Sequence, residues 1–224
     1  MHYDIRLGTG GRSAPCIYLI DSPSERETAA GAERDAEATD RAATVVRIPN
    51  SNWDDDLTPW PARKVFKRAQ GDFGGNADAF LRKLVDEAIP AIEQEHGVQP
   101  AARALAGYSL AGLFAVYALT RTDRFVAVAS ISGSLWYDDL LPYLENARVR
   151  PAGPYVYLSL GDKEHITKNK RMRVVQERTF AVADVLHAKG AVVDFEQTAG
   201  THFQNVAGKM NRALDALEAH LLAR

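Results

Sequence analysis

Two kinds of hydrophobic pattern take turns along this chain. Short apolar runs read as strands at Cys16 to Ile20, Thr44 to Pro49, Ala102 to Ala106, Phe125 to Ser130, Tyr155 to Leu160 and Ala191 to Gln197. Between them lie segments with helical spacing. Phe80, Leu81, Leu84, Val85, Ala88, Ile89 and Ile92 form a stripe along a helix expected from Ala77 to His96, ended by Gly97 and kinked at Pro90. Leu110 to Thr120 is an apolar helix, and Val206, Met210, Leu214, Leu217 and Leu221 give the last helix a core-facing stripe. Ser24 to Ala43 is rich in Ala, Glu and Arg, and Ser24 with Glu27 is placed as a capping box. Its few large apolar residues fit a solvated helix or a mobile segment near a site mouth. Asn50 to Asn76 is long and irregular, and such a loop inside a compact domain is usually functional. The alternation of strand and helix predicts the α/β class, a mostly parallel central sheet with helices on both faces.

Composition narrows the possibilities. No linker or repeat divides the 224 residues, so one domain is expected over residues 1–224. A net charge of -2, without a Lys/Arg patch interleaved with aromatics, argues against nucleic acid as a partner. The longest apolar run, Leu110 to Leu119, is too short to span a bilayer, and Met1 to Arg6 lacks the pattern of a secretory signal. Cys16 is the one cysteine and has no partner for an internal disulfide, which fits a reducing cytoplasm. Asp54, Asp55 and Asp56 would point in different directions from an extended loop, and no other ligand cluster accompanies them, so no metal site is expected. Trp53 and Trp60, flanking that run, either wall a pocket or anchor the loop to the core.

The chemistry begins at Gly107-Tyr108-Ser109-Leu110-Ala111-Gly112, where a strand meets an apolar helix. A nucleophile elbow has this layout: the turn is strained, and the residues two before and two after the serine must be small. Gly107 and Ala111 satisfy that demand. Ser109 is then a candidate nucleophile, the alternative being a helix N-cap in a chance tight turn. A serine needs a histidine base, and the base needs an oriented carboxylate. The order serine, acid, histidine is present. The strand ending at Leu160 empties into Gly161-Asp162-Lys163-Glu164-His165, and the strand ending at Gln197 empties into Ala199-Gly200-Thr201-His202-Phe203. Among six histidines, His202 alone combines a loop after a strand, a neighbouring glycine and the right place in the order, while His165 could line the site. Glu164 is preferred as the acid over Asp162, which is placed to make an Asx-type turn.

With these pieces the chain resembles the esterase D-like family of α/β-hydrolases, which includes siderophore esterases and mycolyltransferases. The resemblance runs from about Ala14 onward. It rests on Ile48-Pro49-Asn50 with Thr58-Pro59-Trp60, Gly107 to Phe114, Ser130 to Trp136, Ser159 to Glu164 and Gly200 to Phe203. It implies the α/β-hydrolase fold, with the nucleophile on Ser109, the base on His202 and the acid in the Asp162–Glu164 loop. Some siderophore esterases of the group use a serine and histidine alone. The fold's oxyanion hole pairs the N–H after the nucleophile, here Leu110, with one after an early strand. Pro23 has no N–H, which leaves Ser22 as the second donor. The family position of Trp136 borders the substrate pocket, and Tyr108 with the Trp53 to Trp60 loop is expected to complete its walls. A short N-terminus before the Gly8 to Gly11 turn implies that the leading hairpin of larger relatives is trimmed.

The sequence thus predicts a serine esterase that cleaves carboxylic esters of small molecules through an acyl-enzyme on Ser109, with no cofactor. An acyltransferase using the same triad is the nearest rival, although the family's mycolyltransferases are exported. A binding protein that keeps the fold is a rival of another class, and the intact serine, acid and histidine argue against it.

Overall fold

Seven strands lie side by side in the order β1-β3-β2-β4-β5-β6-β7. They are β1 (Asp4–Arg6), β2 (Cys16–Asp21), β3 (Thr44–Pro49), β4 (Arg103–Tyr108), β5 (Ala127–Ile131), β6 (Tyr155–Gly161) and β7 (Val192–Thr198). The computed structural model describes residues 2–22, 40–65 and 71–224. Pro23 and the Ser24/Glu27 capping box lie outside the described residues. All neighbours are parallel except β1, which runs antiparallel to β3 with Ile5 opposite Val46. The expected α/β architecture is therefore present, and β1 is the short N-terminal strand at its edge.

Each strand divides its residues between two cores, because successive side chains point to opposite faces. Tyr18, Ile20, Val46, Ile48, Leu105, Val128, Val156, Leu158 and Leu160 face one cluster. Packed there are α2 (Ala77–Lys83), α3 (Ile89–His96), α4 (Leu110–Arg121), α5 (Leu140–Asn146) and α6 (Val175–Ala188), the elements after α1 (Trp53–Asp56). The opposite face presents small side chains at Ala104, Ala106, Ala127 and Ala129, against which α7 (Val206–Leu222) lays Met210, Leu214, Leu217 and Leu221. The expected stripe of the last helix is therefore its buried face. Helix α4 is buried from Leu110 to Thr120, which explains why its sequence is apolar all round rather than on one stripe. Among the described residues, no helix is long and apolar enough to cross a membrane.

Two local expectations change. Ala77 to His96 is not one kinked helix: a π turn at Leu84–Ala88 separates α2 from α3. Pro90 lacks an N–H and its ring crowds the carbonyl four residues back, and the wider turn just before it absorbs that conflict. Asp54 to Asp56 are not in an extended loop but in the short helix α1. Asn50 explains why: its Oδ1 accepts the Asn52 N–H at 2.8 Å and its Nδ2 donates to Asp56 at 3.0 Å, folding the segment back on itself.

The order of strands places a switch point between β2 and β4, since the chain proceeds from β2 outward to β3 and then returns to β4 and outward the other way. Ligand sites of open α/β sheets lie beyond the carboxyl ends of strands at such a point. Ser109 follows β4 there, with φ 59° and ψ −119°, a conformation that a residue with a side chain rarely adopts. Its N–H donates to the Ile131 carbonyl at 3.0 Å, and its own carbonyl accepts from the N–H groups of Gly112, Leu113 and Ser134. A Cβ on Gly107 would sit 2.4 Å from the Ala111 carbonyl carbon and 2.5 Å from the Ala111 Cβ. The small pair flanking the serine is thus a steric requirement. Gly107→Ala should destabilise the fold by about 1–3 kcal/mol through overpacking, read as a lower urea midpoint. A midpoint equal to that of the wild type would show that strand and helix are not in contact as described.

Candidate active site

Three loops at the carboxyl ends of β4, β6 and β7 bring Ser109, Glu164 and His202 together. His202 Nε2 lies 3.1 Å from Ser109 Oγ, and His202 Nδ1 lies 2.8 Å from Glu164 Oε2. A single imidazole therefore spans serine and carboxylate, with one ring nitrogen for each. The Glu164 side chain is 3% exposed and that of His202 is 19% exposed, so the carboxylate is sealed beneath an imidazole that still meets the cleft. Tyr108 fixes the base from the other side: its ring centroid is 4.8 Å from that of His202, and its hydroxyl donates to the His202 carbonyl.

The second oxygen of Glu164 is held separately. Oε1 accepts from the Gly161 N–H at 2.7 Å, from Ser132 Oγ at 2.7 Å and from Lys209 Nζ at 3.2 Å. Burial pushes this carboxyl up, but the hydrogen bond and charge of His202, with Ser132 and Gly161 behind them, more than offset it and hold the group down at about 2. Asp162 does different work. Its Oδ1 accepts the Gly200 N–H at 2.7 Å, tying the acid loop to the histidine loop without approaching the His202 ring. Of the two carboxylates in this loop, Glu164 meets the His202 ring and Asp162 meets the Gly200 N–H.

Above the serine is a cavity of about 290 Å³. Trp53, Phe73, Tyr108, Trp136, Met172 and Phe203 give it apolar walls, with Ser22, Asp54, Lys64 and Ser134 as polar points. Burial, then the Asp55 charge, raises the Asp54 carboxyl. Trp53, Trp136 and Tyr108 of the expected walls therefore line this cavity. Trp60 does not: its indole N–H donates to the Asp138 carbonyl at 3.0 Å and its ring packs among Tyr117, Tyr137 and Tyr143. It is the anchor of the loop rather than a wall of the pocket. His165 likewise is not among the residues lining this cavity.

The two candidate oxyanion donors differ in the same way. Leu110 is the first residue of α4, where a helix N–H has no intrahelical acceptor, and it lines the cavity. Ser22 also lines the cavity, but its N–H already donates to Asp21 Oδ1 at 2.9 Å. Sequence reasoning missed Ser132, Ser134 and Lys209. Ser134 Oγ is 3.5 Å from Ser109 Oγ, and Ser132 was visible only as part of the block Ser130 to Trp136. Lys209 carried no signal, because a lysine in an amphipathic helix normally marks its wet face.

These elements define an α/β-hydrolase arrangement. Residues 1–208 match the model of the family described as "Putative esterase", and the chain belongs to that family. The uncharacterized protein YbbA of Bacillus subtilis (strain 168) is 31% identical over 153 residues, which cover 67% of this chain and 61% of that protein. The match thus spans less than two thirds of that relative's length. Similar solved structures include an IroE-like serine hydrolase from Shewanella oneidensis, with 20% identity, a TM-score of 0.76 and coverage of 97% of this chain and 75% of that one. The siderophore hydrolase EstA from Aspergillus nidulans is another, at 20% identity and a TM-score of 0.69, covering 98% of this chain and 90% of that one. These likenesses establish the fold.

The low-lying acid has a consequence for stability. A carboxyl whose folded value is about 2, below its ordinary 4.5, stabilises the fold fully above about pH 4.5 and loses that contribution as pH falls toward 2. Between about pH 5 and about pH 3 the wild type should therefore lose more unfolding free energy than Glu164→Gln. Equal losses in urea titrations of the two proteins would contradict the hydrogen-bonded, ionised state assigned to this side chain.

Proposed function

We propose that this chain is a serine hydrolase of small-molecule carboxylic esters, working through an acyl-enzyme on Ser109. The observation that carries the reading is the continuous contact from Ser109 Oγ through the His202 ring to Glu164, at the floor of an apolar cavity. His202 Nε2 takes the serine proton as Oγ attacks the acyl carbon, and Glu164 holds the ring in the tautomer that leaves Nε2 free and stabilises its charged form. The Leu110 N–H receives the developing oxyanion, and the Ser22 N–H is the second donor once the Asp21 carboxylate releases it. His202 returns the proton to the departing alcohol, and water activated by the same ring then frees the acid. Membership of the esterase family supports the bond type, and no step calls for a cofactor.

The size and walls of the cavity set the acyl preference. At about 290 Å³ it is at the lower end of ligand sites, roughly 300–1,000 Å³, and aromatic rings rather than a long channel surround it. Trp53 and Trp136 offer flat apolar faces to a compact acyl or alcohol group.

Ser109→Ala should abolish both fluorophosphonate labelling and hydrolysis of p-nitrophenyl acetate without changing the circular dichroism spectrum. Hydrolysis that survives this substitution would remove the mechanism. Among p-nitrophenyl acetate, butyrate and palmitate, the two short esters should be preferred, and Trp136→Ala should raise KM more than it lowers kcat. Preference for palmitate would mean that a long acyl chain finds a path other than this cavity.

A further inference from the structure

Lys209 is an anomaly in the second core. It lies in the first turn of α7, one residue before Met210, and is 0% exposed. Lysine is almost never fully buried without a partner, because an unpaired ammonium in an apolar interior is strongly disfavoured. An ammonium has three N–H donors. Those of Lys209 go to Glu164 Oε1 at 3.2 Å, to Ser132 Oγ at 3.1 Å and to the carbonyl of Thr201 at 3.0 Å. Each acceptor belongs to the site. Glu164 is the acid, Ser132 is a second donor to that acid, and Thr201 is the residue immediately before His202.

We propose that Lys209 is a positioning residue for catalysis, which couples the acid to the loop that carries the base. This rests on the reading of Ser109, His202 and Glu164 as the catalytic relay. The carboxylate of Glu164 has two oxygens with separate tasks. Gly161, Ser132 and Lys209 engage Oε1, which fixes the rotation of the group and leaves Oε2 aimed at His202 Nδ1. The same ammonium holds Thr201, so beside the Asp162–Gly200 tie between the two loops it adds a link that acts on the carboxylate itself. Ser132 completes the arrangement by accepting from Lys209 and donating to Glu164, and its own backbone is held at φ 46° at the end of β5. The charge matters as well as the hydrogen bonds. A carboxylate this deeply buried is matched by one cation at rest, and the imidazolium that forms during turnover adds to a pair already in place.

A supporting role for the core alone would not depend on Glu164, and a double-mutant cycle separates the two. Lys209→Met keeps the aliphatic stem and removes the charge. It should lower kcat on p-nitrophenyl acetate by roughly 10²-fold, with KM changed by less than about twofold, because the substrate cavity is untouched. In the Glu164→Gln background the same substitution should cost less than about threefold further, since the group it positions is already disabled. Should Lys209→Met fail to fold, Lys209→Gln takes its place in the cycle: its amide can still donate to Thr201, and the loss of kcat should persist because the charge is gone. Wild-type kcat in a folded Lys209 variant, or losses that multiply in the double variant, would overturn the proposal. Fluorophosphonate labelling of Ser109 in the wild-type protein, run alongside, distinguishes the sources of failure. No labelling defeats the relay and this proposal together, whereas full labelling with an active Lys209 variant defeats the role of Lys209 alone.

Discussion

The structure depends on one strained residue. Ser109 occupies a backbone conformation that costs on the order of 1–3 kcal/mol for a residue with a side chain, and it keeps that conformation because its surroundings permit no other. Its N–H is taken by β5, and its carbonyl gathers three N–H groups from α4 and the loop after β5. Gly107 and Ala111 touch where any larger pair would collide. Strand β4 must therefore end here and α4 begin at once. That abrupt change leaves the hydroxyl beyond the sheet edge, and Leu110 inherits the first free N–H of the helix. The nucleophile and the oxyanion donor that we propose thus come from the same turn.

The other half of the site solves a different problem, that of keeping a carboxylate ionised while it is hidden from water. Glu164 has the company this requires: a backbone N–H, a hydroxyl, an ammonium and an imidazole, drawn from β6, the end of β5, α7 and the loop after β7. No single loop could supply that set. The small residues on the β4 and β5 face matter here as well, because Ala104, Ala106, Ala127 and Ala129 let α7 lie close to the sheet and carry Lys209 beneath the site. Packing on the far face and chemistry at the sheet edge are parts of one arrangement.

Much of this was legible in the residues. Buried strands announce themselves as short apolar runs, so β3 has its expected bounds, whereas β4 begins one residue later than expected and runs on through Gly107 and Tyr108 to the turn at Ser109. The turn at Ser109 was legible because its constraint is local: small residues at fixed offsets from a serine. That Glu164 and His202 lie beside Ser109 follows the chain order and the positions after strands that the sequence shows. What stayed hidden was set by contacts between distant segments. Trp60 and Trp53 look alike in the sequence, and only the packing of Trp60 against Tyr117, Tyr137 and Tyr143 assigns one to the core and the other to the cavity. The capture of the Ser22 N–H by Asp21 Oδ1 depends on the rotamer of the Asp21 side chain, which no pattern encodes. Lys209 reads as a solvated residue until its partners, one of them 77 positions away, are seen around it.

The central claim is that Ser109 carries the acyl group between two half-reactions, and the intermediate itself is the most direct test. Mixing the protein with excess p-nitrophenyl acetate and quenching in acid within the first turnover should show a burst of p-nitrophenol close to one equivalent of enzyme, if release of the acid is the slower half. Intact mass should rise by one acetyl group, and peptide mapping should place that group on Ser109. An acetyl group on another residue, or turnover with no acetylated protein at any quench time or pH, would contradict the account.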